Sequence, residues 1–358
     1  MIPYGRQSVD EGDIAAVTEV LRGDWLTQGP HVEQFEGALA AVTDARAAVA
    51  FSSGTAALHA AVVIAGLGPG DRVATSPLSF AASAACALYA GAEPCFVDID
   101  PATLNIDLRL LPPGLAGAVV VHFAGLPAAL DFGDNRPRVV IEDAAHALGA
   151  RTPDGPVGNC ARSDMCVFSF HPVKAITTGE GGAVTTNDPE LAERLRRFRS
   201  HGAVRQPERG GWYYEIPDLG YNYRITDLQA ALGRSQLQRL DAFVERRNEL
   251  ARQYDDLLAG VGLVRPPQSP AGTRHGYHLY PIQVNDRRQV YDRMRALGVG
   301  VQVHYIPIYR HPLYAPFGSP SDFPATEAAY ERLLSLPVYP DLSDKEQSVV
   351  VDALKAVL

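Results

Sequence analysis

The chain carries only four cysteines in 358 residues, Cys86, Cys95, Cys160 and Cys166, and no two stand in Cys-x-x-Cys spacing. That leaves no basis for a disulfide framework, and their apolar neighbours predict reduced core thiols. No apolar run reaches 18 residues, which argues against a membrane-spanning helix. The opening Met1–Arg6 does not read as a signal peptide, so a cytoplasmic protein is expected. Repeats and low-complexity tracts are absent. So is Gly-x-x-x-x-Gly-Lys-Ser/Thr, which disfavours a P-loop nucleotidase; no complete Gly-x-Gly-x-x-Gly opens the first βα turn, which disfavours a dinucleotide site. The histidines follow no metal-ligand spacing, and no metal is expected. A net charge of −9 offers no footprint for nucleic acid or an anionic membrane, while leaving room for a local basic pocket.

What is present is ordinary for a globular protein: 46% hydrophobic and 20% charged residues. A chain of this length buries enough surface to need no staple, in one large domain or two unequal ones. Ser8-x-x-Glu11 reads as a capping box, opening a helix with Ile14, Val17, Val20 and Leu21 on one face and Gly23 at its end. From Ala47 short apolar runs alternate with helical patterns. The runs are Ala47–Phe51, Arg72–Thr75, Pro94–Val97, Ala118–Phe123, Val139–Ile141, Met165–Phe170 and Ala183–Thr186. This alternation predicts an α/β fold, a mostly parallel central sheet with helices on both faces. A second box, Thr226-x-x-Gln229, starts a helical pattern that continues to about Leu258. Strand Tyr277–Val284, helix Arg287–Leu297, strand Gly300–Tyr305 and a helix capped at Ser343 predict a smaller C-terminal α+β unit. The expected division is residues 1–240 and 241–358.

Within this frame one lysine stands out. Ser169-Phe170-His171-Pro172-Val173-Lys174 follows a buried run, continues into Ala175–Gly182, and meets no further basic side chain before Arg194. A lysine desolvated at a sheet edge has a lowered pKa, and its neutral amine can join an aldehyde through an imine. The bland alternative is a lysine that caps a strand end and reaches water. Val139–Asp143 ends a strand in a carboxylate, where parallel sheets place their ligands. Asp143 can pair with a protonated pyridine nitrogen, although acidic strand ends also bind ribose or Mg²⁺; Glu142 points to the opposite side. Ser53, Gly54 and Thr55 join a buried run to a helix N-terminus and read as a phosphate cradle, or simply as a serine cap. Phe80 lies in a polar turn where an aromatic can cover a planar ring, or pack in the core. His146, three residues beyond Asp143, can bond that carboxylate or help cover the ring.

Taken together, these residues resemble the DegT/StrS-type sugar-nucleotide aminotransferases, which are fold-type I pyridoxal phosphate enzymes. The resemblance runs nearly end to end. It includes Ile2–Gln7, Trp25–Pro30, Ser53-Gly54-Thr55, Glu142–His146, Arg199–Gly202, Gly220–Arg224, Val303-His304-Tyr305 and Ser335-Leu336-Pro337. It implies pyridoxal 5′-phosphate held by Lys174, with pyridoxamine 5′-phosphate formed during turnover. Asp143 would pair with the pyridine nitrogen, Phe80 would stack on the ring, and Gly54, Thr55 and Ser169 would take the phosphate. It implies a homodimer in which Asn222 reaches the neighbouring site, and glutamate as amino donor. Related dehydratases often carry histidine where this chain has Lys174, so the lysine favours transamination. The opening, the lysine motif and His304–Tyr309 look most like the pseudaminic-acid branch, which aminates C4 of a UDP-linked 4-keto-6-deoxy-N-acetylhexosamine. Arg224, His304 and Tyr309 become sugar-nucleotide contacts. Rival readings are a pyridoxal phosphate enzyme, aminotransferase or dehydratase, acting on a different nucleotide sugar or a cyclitol ketone, and a non-catalytic cofactor-binding regulator. One departure is visible. The connection Leu126–Arg138 and the segment after Asp107 are shorter than in relatives, predicting a truncated or irregular crossover.

Overall fold

A computed structural model describes all 358 residues. Seven strands build the central sheet: β1 Ala47–Phe51, β2 Arg72–Thr75, β3 Glu93–Phe96, β4 Gly117–Val121, β5 Val139–Asp143, β6 Met165–Ser169 and β7 Gly182–Thr186. Their spatial order is β1-β7-β6-β5-β4-β2-β3. Five strands run in parallel from β6 to β3, and β7 lies antiparallel between β6 and β1. The mostly parallel α/β sheet is therefore as the alternation predicts.

Side chains alternate across each strand, so the sheet has two different faces. Val49, Val73, Val119, Ile141, Val167 and Val184 share one face with α3 (Gly54–Ile64), the centre of α4 (Ala82–Tyr89) and α5 (Pro189–Arg199). On the opposite face, Ala48, Ala50, Cys166, Phe168 and Ala183 pack with Phe35 and Leu39 of α2 (Pro30–Thr43) and Ala230 and Leu237 of α6 (Asp227–Leu237). Helical cover stops there. Ala74, Ala118, Val120 and Val140 are instead sealed by Ile106, Leu108, Leu111, Ala128 and Phe132. Those residues lie in two short crossovers whose only helical pieces are 3₁₀ turns, Leu108–Leu110 in one and Phe123–Gly125 and Gly133–Asn135 in the other. These are the truncated, irregular crossovers expected from the shortened connections: about a dozen residues close a parallel crossover without room for a helix.

The C-terminal part pairs β8 (Tyr280–Gln283) with β9 (Leu333–Leu336), antiparallel, against α8 (Arg287–Ala296) and the last helix, α9 (Asp344–Val357). Its core draws on residues from Leu250 to Val357. Helix α7 (Leu240–Leu257) joins the two regions, with Phe243 and Val244 in the sheet's core and Leu250 and Tyr254 in the C-terminal one. No helix is long and apolar enough to cross a membrane.

Several local readings are corrected. The pattern from Thr226 to Leu258 forms two helices, not one. Arg239 leaves helical geometry at φ −106° and ψ 1°, and its guanidinium pairs with Asp10 and Asp13 at the start of α1 (Glu11–Arg22). The cap of α1 is Asp10 with Asp13, because Ser8 turns away to bond Asp341. Ile14 and Leu21 are 51% and 59% exposed, and buried Asp13 takes the inward position against Gln236. Gly300–Tyr305 forms no full strand: Gly300 bonds the backbone of Ile2, and only Gln302 bridges Ser335. Cys95 is only half-buried, and the Arg72 guanidinium donates to its sulfur at 3.1 Å.

Candidate active site

The carboxyl ends of the parallel strands open into a cavity of about 400 Å³. Asp143 closes β5 and Ser169 closes β6, each two residues beyond a side chain on the α3–α4 face, so both point to that side. Between β6 and β7 the chain makes a hairpin. The Thr178 amide donates to the Phe170 carbonyl at 3.0 Å, and the Lys174 amide to that of His171 at 2.9 Å. This loop carries Lys174 into the cavity wall beside Asp143. Burial lowers its pKa to about 8, and the Asp143 charge opposes that fall. Lys174 is one of only three lysines in the chain, with Lys345 and Lys355.

Asp143 is held from two sides. Ser83 Oγ donates to its Oδ2 at 2.7 Å and the Ala145 amide to its Oδ1 at 3.2 Å, while Ser79 and Ser83 share a hydrogen bond of 2.8 Å. Glu142 points the other way, to Ser163 and His122.

The anion cradle follows from sheet register. Phe51, Gly182 and Ser169 are aligned across β1, β7 and β6. Side-chain-free Gly182 lets Ser53-Gly54 cross close by, since a Cβ there would lie 2.5 Å from the Ser53 carbonyl. A Cβ on Gly54 would lie 2.9 Å from Cβ of Ser169. Ser53 is indeed the cap of α3, its Oγ accepting the Ala56 amide at 3.1 Å. The amides of Gly54 and Thr55 remain as the free donors of the helix start, beside the Ser169 hydroxyl.

Phe80 is 62% exposed at the cavity wall, so it is no core residue. His146 is buried, shares a 3.1 Å hydrogen bond between Nε2 and the Tyr305 hydroxyl, and has an unpartnered Nδ1. Burial and the charge of Lys174 hold its pKa well below the usual histidine value. His304 also lines the cavity, and its Nδ1 shares a 2.9 Å hydrogen bond with Ser335 Oγ. Three named residues stand apart from this wall. Tyr309 is buried among Phe96 and Phe323 and donates to Glu327 at 2.6 Å. Asn222 and Arg224 sit on the segment after Gly220, with Asn222 exposed and bridged to Ser200. The sequence alone assigns no role to Ser83, His278 or Tyr4, which also line the cavity. Ser83 lies three residues beyond Phe80, in the first turn of α4, and His278 packs its ring 4.3 Å from that of His146. Tyr4 lies in the quoted opening, and its ring is 5.3 Å from that of His304.

A lowered-pKa amine facing a fixed carboxylate, with an anion cradle between strand ends and an exposed aromatic wall, fits a phosphorylated aromatic aldehyde. Comparison with known proteins agrees, because residues 7–355 match the model of the DegT/DnrJ/EryC1/StrS aminotransferase family. The chain belongs to that family. It is a pyridoxal phosphate-dependent sugar aminotransferase. It is 40% identical to the spore coat polysaccharide biosynthesis protein SpsC of Bacillus subtilis, covering 100% of this chain and 97% of that one. It is 36% identical to the UDP-4-amino-4,6-dideoxy-N-acetyl-β-L-altrosamine transaminase of Campylobacter jejuni, covering 100% and 98%. Among solved structures, Helicobacter pylori PseC, an aminotransferase of pseudaminic acid biosynthesis, superposes with a TM-score of 0.92 at 30% identity, covering 99% and 98%.

Proposed function

We propose that this aminotransferase moves an amino group from glutamate to the C4 keto group of a UDP-linked 4-keto-6-deoxy-N-acetylhexosamine. The observation that carries amino transfer is Lys174 facing Asp143 in one cavity, beside a cradle for phosphate. The branch assignment is supported by the C. jejuni transaminase and PseC, which match this chain along nearly their whole length.

Lys174 would hold the cofactor, while Gly54, Thr55 and Ser169 would bind its phosphate and Ser53 would fix the turn that presents them. When bound, pyridoxal phosphate supplies an electron sink for the pair left on carbon when a proton departs. Lys174, half neutral near pH 8, is suited both to accept that proton on Nζ and to return it. Asp143 aims its carboxylate into the cavity and orients what binds there, with Ser83 holding it in place. Phe80 and His146 exclude water from the walls. His304 and Arg224 are proposed sugar-nucleotide contacts. Tyr309 acts behind them by packing.

We further propose a homodimer with shared sites, in which Asn222 serves the cavity of the other copy. This is supported by its position outside the wall of its own cavity, and by exposed apolar residues that a second copy would cover. Trp212 is 82% exposed and Leu219 78%. The substrate is tested with a panel of UDP-, dTDP- and GDP-linked 4-keto sugars and glutamate, following amino-sugar formation by mass spectrometry. Preference for a UDP-linked N-acetylhexosamine is expected. Preference for a dTDP or GDP sugar overturns the branch, and no product from any sugar overturns the transfer.

A further inference from the structure

The segment that carries Asn222 is held to its own chain over three residues: Tyr221 bonds the backbone of Phe198 and His201, Asn222 bridges Ser200, and Tyr223 adds side-chain contacts as well. From Trp212 to Leu219 its large side chains are mostly exposed, and they gain no core from their own chain. At Tyr223 this changes. The Tyr223 hydroxyl shares a 3.1 Å hydrogen bond with Nδ1 of His59, which is only 5% exposed. The Tyr223 ring stacks on Tyr221 at 5.0 Å and 13°, and Phe198 packs edge-on against His59. Burial lowers the His59 pKa, so the ring stays neutral and keeps one nitrogen as an acceptor. The backbone is fixed too. The Tyr223 carbonyl accepts from the Ser52 amide at 2.8 Å, and the Tyr223 amide donates to the Arg199 carbonyl at 3.0 Å.

Two features give this anchor a meaning beyond packing. His59 lies on α3, the helix whose start forms the phosphate cradle, and Ser52 directly precedes Ser53. The residues on either side of Tyr223 are Asn222 and Arg224, neither of which lines its own chain's cavity. Backbone bonds on both sides of Asn222 set the course of the segment, and the Tyr223 hydroxyl adds the side-chain bond that ties it to α3. If the hydroxyl is lost, the turn gains freedom at that point and its outward contacts weaken.

We propose that the His59–Tyr223 hydrogen bond is a positioning device that aims Asn222 of one subunit at the phosphate of the cofactor in the other subunit's site. This rests on the shared-site reading above. His59 and Tyr223 are positioning residues here, and their effect is exerted in trans: a subunit without the anchor builds its own cavity normally and serves its partner poorly.

The test measures cofactor affinity in isolated heterodimers, read as the visible absorbance of cofactor held by the one remaining Lys174. In the first heterodimer one chain carries Lys174→Ala with Tyr223→Phe, and the other is native. The intact site then receives the altered segment, and binding about 3- to 10-fold weaker is expected, the worth of one hydrogen bond. In the second, one chain carries Lys174→Ala and the other Tyr223→Phe. The intact site then receives a native segment, and native affinity is expected. Asn222→Ala is placed in the same two arrangements as a control. Weakening by Tyr223→Phe only in the second arrangement, while Asn222→Ala acts in the first, overturns the anchor and leaves shared sites standing. Asn222→Ala acting only in the second arrangement overturns shared sites themselves. Because Tyr223→Phe keeps the ring and the backbone bonds, folding is retained. His59→Leu should match it, His59→Asn should recover most of the affinity, and no effect from either Tyr223→Phe or His59→Leu also overturns the proposal.

Discussion

Ser83 Oγ lies 2.7 Å from Oδ2 of Asp143, so a side chain from α4 holds the carboxylate that ends β5. The bond joins a helix to a strand end across the α3–α4 face of the sheet, and Ser79 extends it by one more hydroxyl.

Ser83→Ala removes a hydrogen bond to an ionised group, worth about 1.5–3 kcal/mol, from a buried site. The expected result is a roughly 10- to 150-fold loss of kcat/KM, with folding intact and cofactor still bound. Steady-state kinetics together with an absorbance spectrum check this. Ser79→Ala, one hydroxyl further away, should cost less.

Burial lowers the Lys174 pKa from the ordinary lysine value of 10.5 to about 8, and the charge of Asp143 opposes the fall. Reductive methylation of cofactor-free protein, resolved by peptide mass spectrometry, should therefore show Lys174 reacting with a midpoint near pH 8. Asp143→Asn removes the opposing charge and should move that midpoint lower. A midpoint that rises would contradict the assigned coupling.

The same shift predicts a pH-dependent cost in stability. Below about pH 8 the amine is charged in both the folded and unfolded chain, so the desolvation penalty is fully present. Between about 8 and 10.5 the folded chain binds fewer protons, and the penalty fades as pH rises. Cofactor-free Lys174→Met should therefore melt above the native protein at pH 7, with the gap narrowing towards pH 10. Lys174→Ala should lack the visible absorbance of lysine-bound cofactor and lose at least about 10²-fold in turnover.

The two cradle glycines should respond differently to alanine. At Gly182 a Cβ would lie 2.5 Å from backbone atoms of Ser53, which cannot move without opening the sheet edge. Gly182→Ala should destabilise the fold by about 1–3 kcal/mol, seen as a lower Tm. At Gly54 the Cβ would meet the Ser169 side chain at 2.9 Å, and a small shift relieves it. Gly54→Ala should therefore fold and bind pyridoxal phosphate more weakly, measured by titration of the cofactor-free protein.

The chain order of apolar runs and helical patterns determined all seven strands of the main sheet, because period and turn residues are local properties. It also determined which residues stand at strand ends, and hence Lys174, Asp143, Ser53, Gly54, Thr55 and Ser169, since those positions follow from where each run stops. Tertiary structure alone decided the rest. The inward turn of Asp13 and the break at Arg239 come from an ion pair between helices more than 200 residues apart, which no local pattern encodes. Ser83 reaches Asp143 only because α4 packs over β5, and His278 meets His146 only because the C-terminal part closes on the sheet. Tyr309 lies in a shared motif, yet packing against Phe96 and Phe323 takes it out of the cavity wall. Asn222 lies outside the cavity wall of its own chain, because the segment from Tyr221 to Tyr223 is bonded to the backbone between Phe198 and His201.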